Sequence, residues 1–128
     1  MSPPKLRLGA LTITAERPLE LARFYSKLLD WPYVREEPPD YALVCPPDGV
    51  HEPALNFELD RHFRRPVWPS ENGEQFASQH LDIGAEDLDV AVAWAVECGA
   101  VEAEFQPSPA YHRVMIDPDG HPFCLCLS

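Results

Sequence analysis

One order of hydrophobic patterns occurs twice in this chain. Strand-like alternation at Leu6, Leu8, Leu11 and Ile13 leads to Pro18, after which Leu21, Phe24, Tyr25 and Leu28 recur at three and four. That spacing marks a helix over Pro18–Leu29, stopped by Trp31-Pro32. Short strand patterns follow at Tyr33–Arg35, Tyr41–Cys45 and Ala54–Leu59, set apart by the turn signals Pro38-Pro39-Asp40 and Pro46-Pro47-Asp48-Gly49. The second copy opens with a strand at Gln79–Ile83. Asp87 then serves as the N-cap of a helix over Leu88–Cys98, with Leu88, Ala91, Val92 and Ala95 on one face and Gly99 past its end. Strands at Val101–Glu104, His112–Ile116 and Pro122–Leu127 complete it. The last two are joined by Asp117-Pro118-Asp119-Gly120, where glycine supplies a positive φ and aspartate caps local amides. Laying Arg17 over Asp87 sets Ala10 against His80 and Phe24 against Trp94. The pattern predicts an α+β fold of two βαβββ modules, about 5–59 and 79–128, with a loop over 60–78, all within a single domain spanning 1–128.

A chain of 128 residues buries enough surface to fold without a disulfide or a structural metal. Cys45, Cys98, Cys124 and Cys126 are too few and too scattered for a disulfide framework, so free thiols in a reducing compartment are expected. The start, Met1-Ser2-Pro3-Pro4-Lys5, has no apolar core behind its positive charge, and no apolar run approaches a membrane span. A cytoplasmic protein with no membrane partner is expected. The net charge of −11, with Arg61, Arg64 and Arg65 as the only tight basic group, argues against a nucleic-acid partner. It suits solubility first and a cationic small ligand second. Nothing in the chain reads as a phosphate-binding glycine loop, a serine-hydrolase elbow or a paired CxxC motif.

The segment His80-Leu-Asp-Ile-Gly-Ala-Glu-Asp87-Leu88-Asp89 before the second helix, together with Asp117-Pro-Asp-Gly120 before the last strand, resembles the vicinal oxygen chelate superfamily. That superfamily includes glyoxalase I, bleomycin-resistance proteins and extradiol dioxygenases. The ending Gly120-His121-Pro122-Phe123-Cys124-Leu125 is similar to bacterial glyoxalase-like domain proteins. The resemblance covers essentially the whole chain and is most specific in its second half. It implies curved mixed sheets forming a cup, helices outside (the glyoxalase/bleomycin resistance/dihydroxybiphenyl dioxygenase fold), metal ligands projecting inward from four strands, and a homodimer. Strand alternation then assigns the faces. Phe123, Leu125 and Leu127 face a helix and turn Cys124 and Cys126 into the cup; Leu81 and Ile83 do the same for His80 and Asp82. Leu55, Phe57 and Leu59 put Asn56 and Glu58 inside, and Leu11 and Ile13 put Ala10, Thr12 and Thr14 inside. The family's four ligand positions fall on Ala10, on Asn56 (or Glu58 one pleat away), on His80 and on Cys124. The usual metal centre is therefore not expected.

His80 admits three readings: a metal ligand, a general base paired with Asp82, or a cavity-lining residue, the last being favoured. Cys124 and Cys126, two residues apart on one face, hold their sulfurs roughly 7 Å apart and read as apolar lining. His121, Asp117 and Asp119 are turn-formers first. Trp68, between Pro66 and Pro69, either caps a cup with Arg64 or Arg65 at its rim or lies in a dimer contact; Trp31 and Trp94 read as packing or interface residues. The leading functional expectation is a binder without cofactor, holding a small organic molecule through Thr12, Asn56, Glu58, Trp68, His80, Asp82, Arg113, Met115 and Cys124, as bleomycin-resistance proteins sequester a drug. The alternative is a metal-dependent lyase, isomerase or dioxygenase acting on a small oxygenated metabolite, its divalent ion held by His80, Glu58 and Cys124. A third reading is a metal-free enzyme in which His80, assisted by Asp82, moves a proton.

Overall fold

The first half of the chain folds as β1 (Ala10–Ala15), α1 (Pro18–Leu29), β2 (Tyr33–Glu37), β3 (Tyr41–Cys45) and β4 (Ala54–Leu59). The second half repeats the order as β5 (Leu81–Ala85), α2 (Leu88–Cys98), β6 (Val101–Glu102), β7 (His112–Ile116) and β8 (Pro122–Leu127). This computed structural model describes residues 2–37 and 40–128, with only the backbone of Tyr33, Arg35, Glu36 and Glu37. The expected turn at Pro38-Pro39 lies outside the described residues. Contacts divide the chain into two units, Met1–Arg61 and His62–Ser128.

In the first unit the sheet order is β1-β4-β3-β2, with β1 parallel to β4 and the other pairs antiparallel. Parallel pairing of β1 with β4 requires the crossover that α1 supplies. Pro18 presets the first turn of α1, and the helix ends where Asp30 adopts a left-handed conformation at φ 55°. Leu21, Tyr25 and Leu28 of α1 pack on Val44, Leu55 and Phe57, all nearly without exposure. The Tyr25 ring stacks on Phe57 at 5.5 Å. The strand does not begin at Leu6 as alternation suggested. Leu6 and Leu8 are 83% and 75% exposed, and the ladder with β4 begins only at Ala10 opposite Ala54, whose amide reaches back no further than Gly9 O.

The second unit has the order β5-β8-β7-β6 with the same mixture of one parallel and two antiparallel pairs. Asp87 caps α2 through a 3.1 Å bond accepted from the Val90 amide, and Leu88, Val92 and Ala95 point into the core. The core under α2 holds Met115, Phe123 and Leu125, while Val114 is buried on the other face of the sheet. β5 begins at Leu81 rather than Gln79: Leu81 pairs with Phe123, and the preceding Pro122 has no N–H to extend the ladder. Leu127, at the sheet's end, is half exposed rather than packed.

β6 is two residues long, not four. Gln106 takes the place of its missing end: its Nε2 donates to Val114 O and Ala103 O, and its Oε1 accepts from the Val114 amide. The expected loop over 60–78 is largely part of the second unit. Arg65 donates from Nη1 to Pro118 O at 2.8 Å, the Phe63 ring meets His121 at 5.5 Å, and Trp68 meets Phe105 at 5.9 Å. The turn it grips is ordered by Asp117, whose buried Oδ1 accepts from the amides of Asp119 and His121. Among the described residues no helix is long and apolar enough to cross a membrane.

Candidate functional site

On the first unit's sheet, the face opposite Leu55 and Phe57 carries Thr12, Asn56 and Glu58. Register pairs Thr12 with Asn56 and Thr14 with Glu58, so both pairs share that side. Asn56 Nδ2 donates to Thr12 Oγ1 at 3.1 Å. Asn56 Oδ1 is buried and has no partner among the described residues. Glu58 is exposed, beside Thr14 and Tyr41 in the ladder.

The second unit brings three of the expected residues together. His80 stands one residue before β5 with Nε2 3.1 Å from Asp82 Oδ1. Asp82 pairs across the parallel ladder with Cys124 of β8. Burial pushes the Cys124 thiol up to about 11, helped by the Asp82 charge, by Cys126 and by a hydrogen bond to the Asp82 carboxylate. The Cys126 thiol is raised too, by burial first and by Asp82 second. Among the described residues no disulfide joins the four cysteines.

Arg113 and Met115, expected among the ligand contacts, do not stand on the Cys124 face. Cross-strand partners share a face, and these two pair with Leu125 and Phe123, so they lie on the helix-covered side. Met115 is fully buried. Arg113 is occupied in binding elements to one another: it bonds Asp89 at 2.9 Å and Pro109 O at 2.7 Å, with Glu102 at 3.6 Å. The residues of β7 that share the Cys124 side are His112, Val114 and Ile116, which the sequence reading missed. Their signal was hidden because Val114-Met115-Ile116 is apolar at both parities. Trp68 is half-buried against Phe105 in its own unit.

The resemblance implies a divalent metal held from four strands, and the donors here do not fit it. Ala10 offers only a methyl group. Asn56 is a neutral amide whose nitrogen already serves Thr12. The Cys124 thiol, raised to about 11, is protonated at neutral pH in the metal-free protein. Among the described residues, the side chains that converge are His80, Asp82 and Cys124.

Paired βαβββ units of this kind occur in solved structures that match nearly the whole chain. A glyoxalase/bleomycin resistance protein/dioxygenase family enzyme from Burkholderia phytofirmans matches with a TM-score of 0.69 at 13% identity, covering 95% of this chain and 98% of that one. Trypanothione-dependent glyoxalase I of Leishmania major matches at 0.62 and 18% identity, covering 96% and 87%. The fosfomycin resistance protein FosX of Mesorhizobium loti matches at 0.63 and 13% identity, covering 94% and 90%. At these identities the likeness shows the fold, that of the vicinal oxygen chelate superfamily. No curated protein matches the sequence. Residues 10–126 match the glyoxalase-like domain, and the chain belongs to that family.

Proposed function

We propose that this glyoxalase-like protein binds a small organic molecule through its sheet faces without the family's four-strand metal centre. The observation that carries this reading is Asn56 Oδ1, a buried acceptor without a hydrogen to accept. Such a group costs about 1–3 kcal/mol unless something donates to it. A ligand hydroxyl, amide or ammonium supplies that donor, whereas a carboxylate in its place would have served a metal. Thr12 orients the amide on the same sheet face. The acidic chain and its four cysteines without a disulfide among the described residues support a cytoplasmic setting.

The test is calorimetric titration of chelator-treated protein with a panel of small polar molecules that includes bleomycin and fosfomycin. Saturable binding by the metal-free protein is expected. Asn56→Ala should weaken it while leaving the unfolding midpoint unchanged or raised, since the variant removes an unpaired acceptor. Binding that disappears on chelation and returns with a divalent ion would overturn the reading in favour of the metal-dependent lyase, isomerase or dioxygenase.

A further inference from the structure

The two helices hold the same place in the repeat, yet their outer faces differ. Laying Arg17 over Asp87 sets Glu20, Arg23 and Lys27 of α1 against Val90, Ala93 and Glu97 of α2, and all six are exposed. α1 has the polar outer face of a helix that covers a core. α2 instead shows solvent Val90 at 65% exposure and Trp94 at 40%, with Ala93 beside them. Phe24, the counterpart of Trp94, is buried. The first module folds without apolar residues at these outer positions, so core packing does not account for them in the second. Val90, Ala93, Trp94 and Glu97 recur at three and four over two turns, the spacing by which one helix receives another, and the small Ala93 leaves room for close approach.

Charge decides what the incoming helix carries. Residues 1–65 hold ten acidic and nine basic side chains, whereas residues 66–128 hold eleven acidic ones and a single basic one, Arg113. Arg113 is itself engaged by Asp89 and Glu102. Glu86 and Asp87 lead into α2, and Glu97 lies in its last turn. That turn has no basic residue to answer the partial negative charge of the helix end, as Lys27 does in α1. A second copy of α2 would set like charges against these acids. We propose that the outer face of α2 docks a cationic amphipathic helix of a partner protein. The partner's apolar side chains lie on Val90, Ala93 and Trp94, and its Lys or Arg side chains meet Glu97 and the acids at the helix start.

The surface is no part of the Asn56 face, so either reading can fail while the other holds. The probe is a labelled synthetic helix of leucine and lysine, about 18 residues long with leucine along one face, titrated with the full-length protein and followed by fluorescence anisotropy. A leucine–glutamate helix of the same pattern is the charge control. Saturable binding of the lysine helix at micromolar concentration is expected, weakened by salt, with none of the glutamate helix. Val90→Ser and Trp94→Ala should each weaken it by about 5-fold or more, and Glu97→Gln should weaken it and flatten its salt dependence. Leu8→Ser, at an exposed apolar side chain elsewhere, should change nothing. Val90 is largely exposed, so its variant retains the fold even where Trp94→Ala does not. The proposal is overturned by absent binding, by equal binding of both helices, or by binding of the lysine helix indifferent to Val90→Ser and Trp94→Ala. It is overturned equally by a self-association of the protein that Val90→Glu abolishes, which would show that a second copy covers the face.

Discussion

Cys124 illustrates how one side chain's chemistry is set by what lies across the ladder. With burial first and the Asp82 carboxylate second pushing its thiol up to about 11, Cys124 stays protonated at neutral pH. Iodoacetamide should therefore label Cys124 slowly at neutral pH and faster only as pH climbs toward 11. Asp82→Asn should speed labelling without making it that of a free thiol, since burial persists. Peptide mass spectrometry resolves the four cysteines; Cys124 labelled at pH 7.5 as fast as free cysteine would show that the carboxylate exerts no hold. The stability effect has the matching sign. The folded pKa lies above the unfolded value of 9.0, so this group leaves stability unchanged below pH 9 and lowers it as pH rises toward 11. A second pair of variants separates site from core. His80→Ala, at a half-exposed side chain, should cost under about 1 kcal/mol in thermal unfolding, whereas Phe123→Ala empties core volume and should cost about 3–5 kcal/mol. A His80 variant as damaged as the Phe123 variant would remove His80 from the open face.

Elements with clean alternation were legible from sequence, and those without it were not. Apolar residues at one parity in β1, β4, β5 and β8 assigned Thr12, Asn56, Glu58, Asp82 and Cys124 to the side away from the helices, where they stand. In β7 three consecutive apolar residues removed the parity signal, and the side of Arg113 and Met115 followed only from pairing with β8. The meeting of Asp82 with Cys124 was hidden for a related reason: 42 residues separate them, and parallel register depends on tertiary packing. Nothing local announced Gln106 either, because a side-chain amide standing in for a strand leaves no periodic trace. Gln106→Leu strips the Val114 amide of its acceptor and should cost about 1–3 kcal/mol, read as a lower urea midpoint with unchanged slope. An unmoved midpoint would mean that water replaces the amide without loss. At the Asp117–Gly120 turn, Gly120 has φ 92°, and an added Cβ would lie 3.0 Å from Arg65 Nε. Gly120→Ala should destabilise by about 1–2 kcal/mol or more through left-handed strain, with Arg65 displaced from the turn; thermal unfolding checks it.

At the scale of the molecule, each four-stranded sheet leaves two edges, β1 and β2 in one unit and β5 and β6 in the other. Exposed sheet edges invite pairing, and a symmetric homodimer is the expected state, with light scattering giving twice the chain mass of 14.4 kDa across micromolar concentrations. A monomer mass throughout that range would count against it. The four edges differ in what they offer an incoming chain. Beyond the two residues of β6, the donor and acceptor of Val114 are already taken by the Gln106 amide, so no row of bare amides continues along that rim. An incoming strand reaching past β6 therefore meets a Val114 whose amide and carbonyl are already engaged, and cross-β growth loses one rung of its template there.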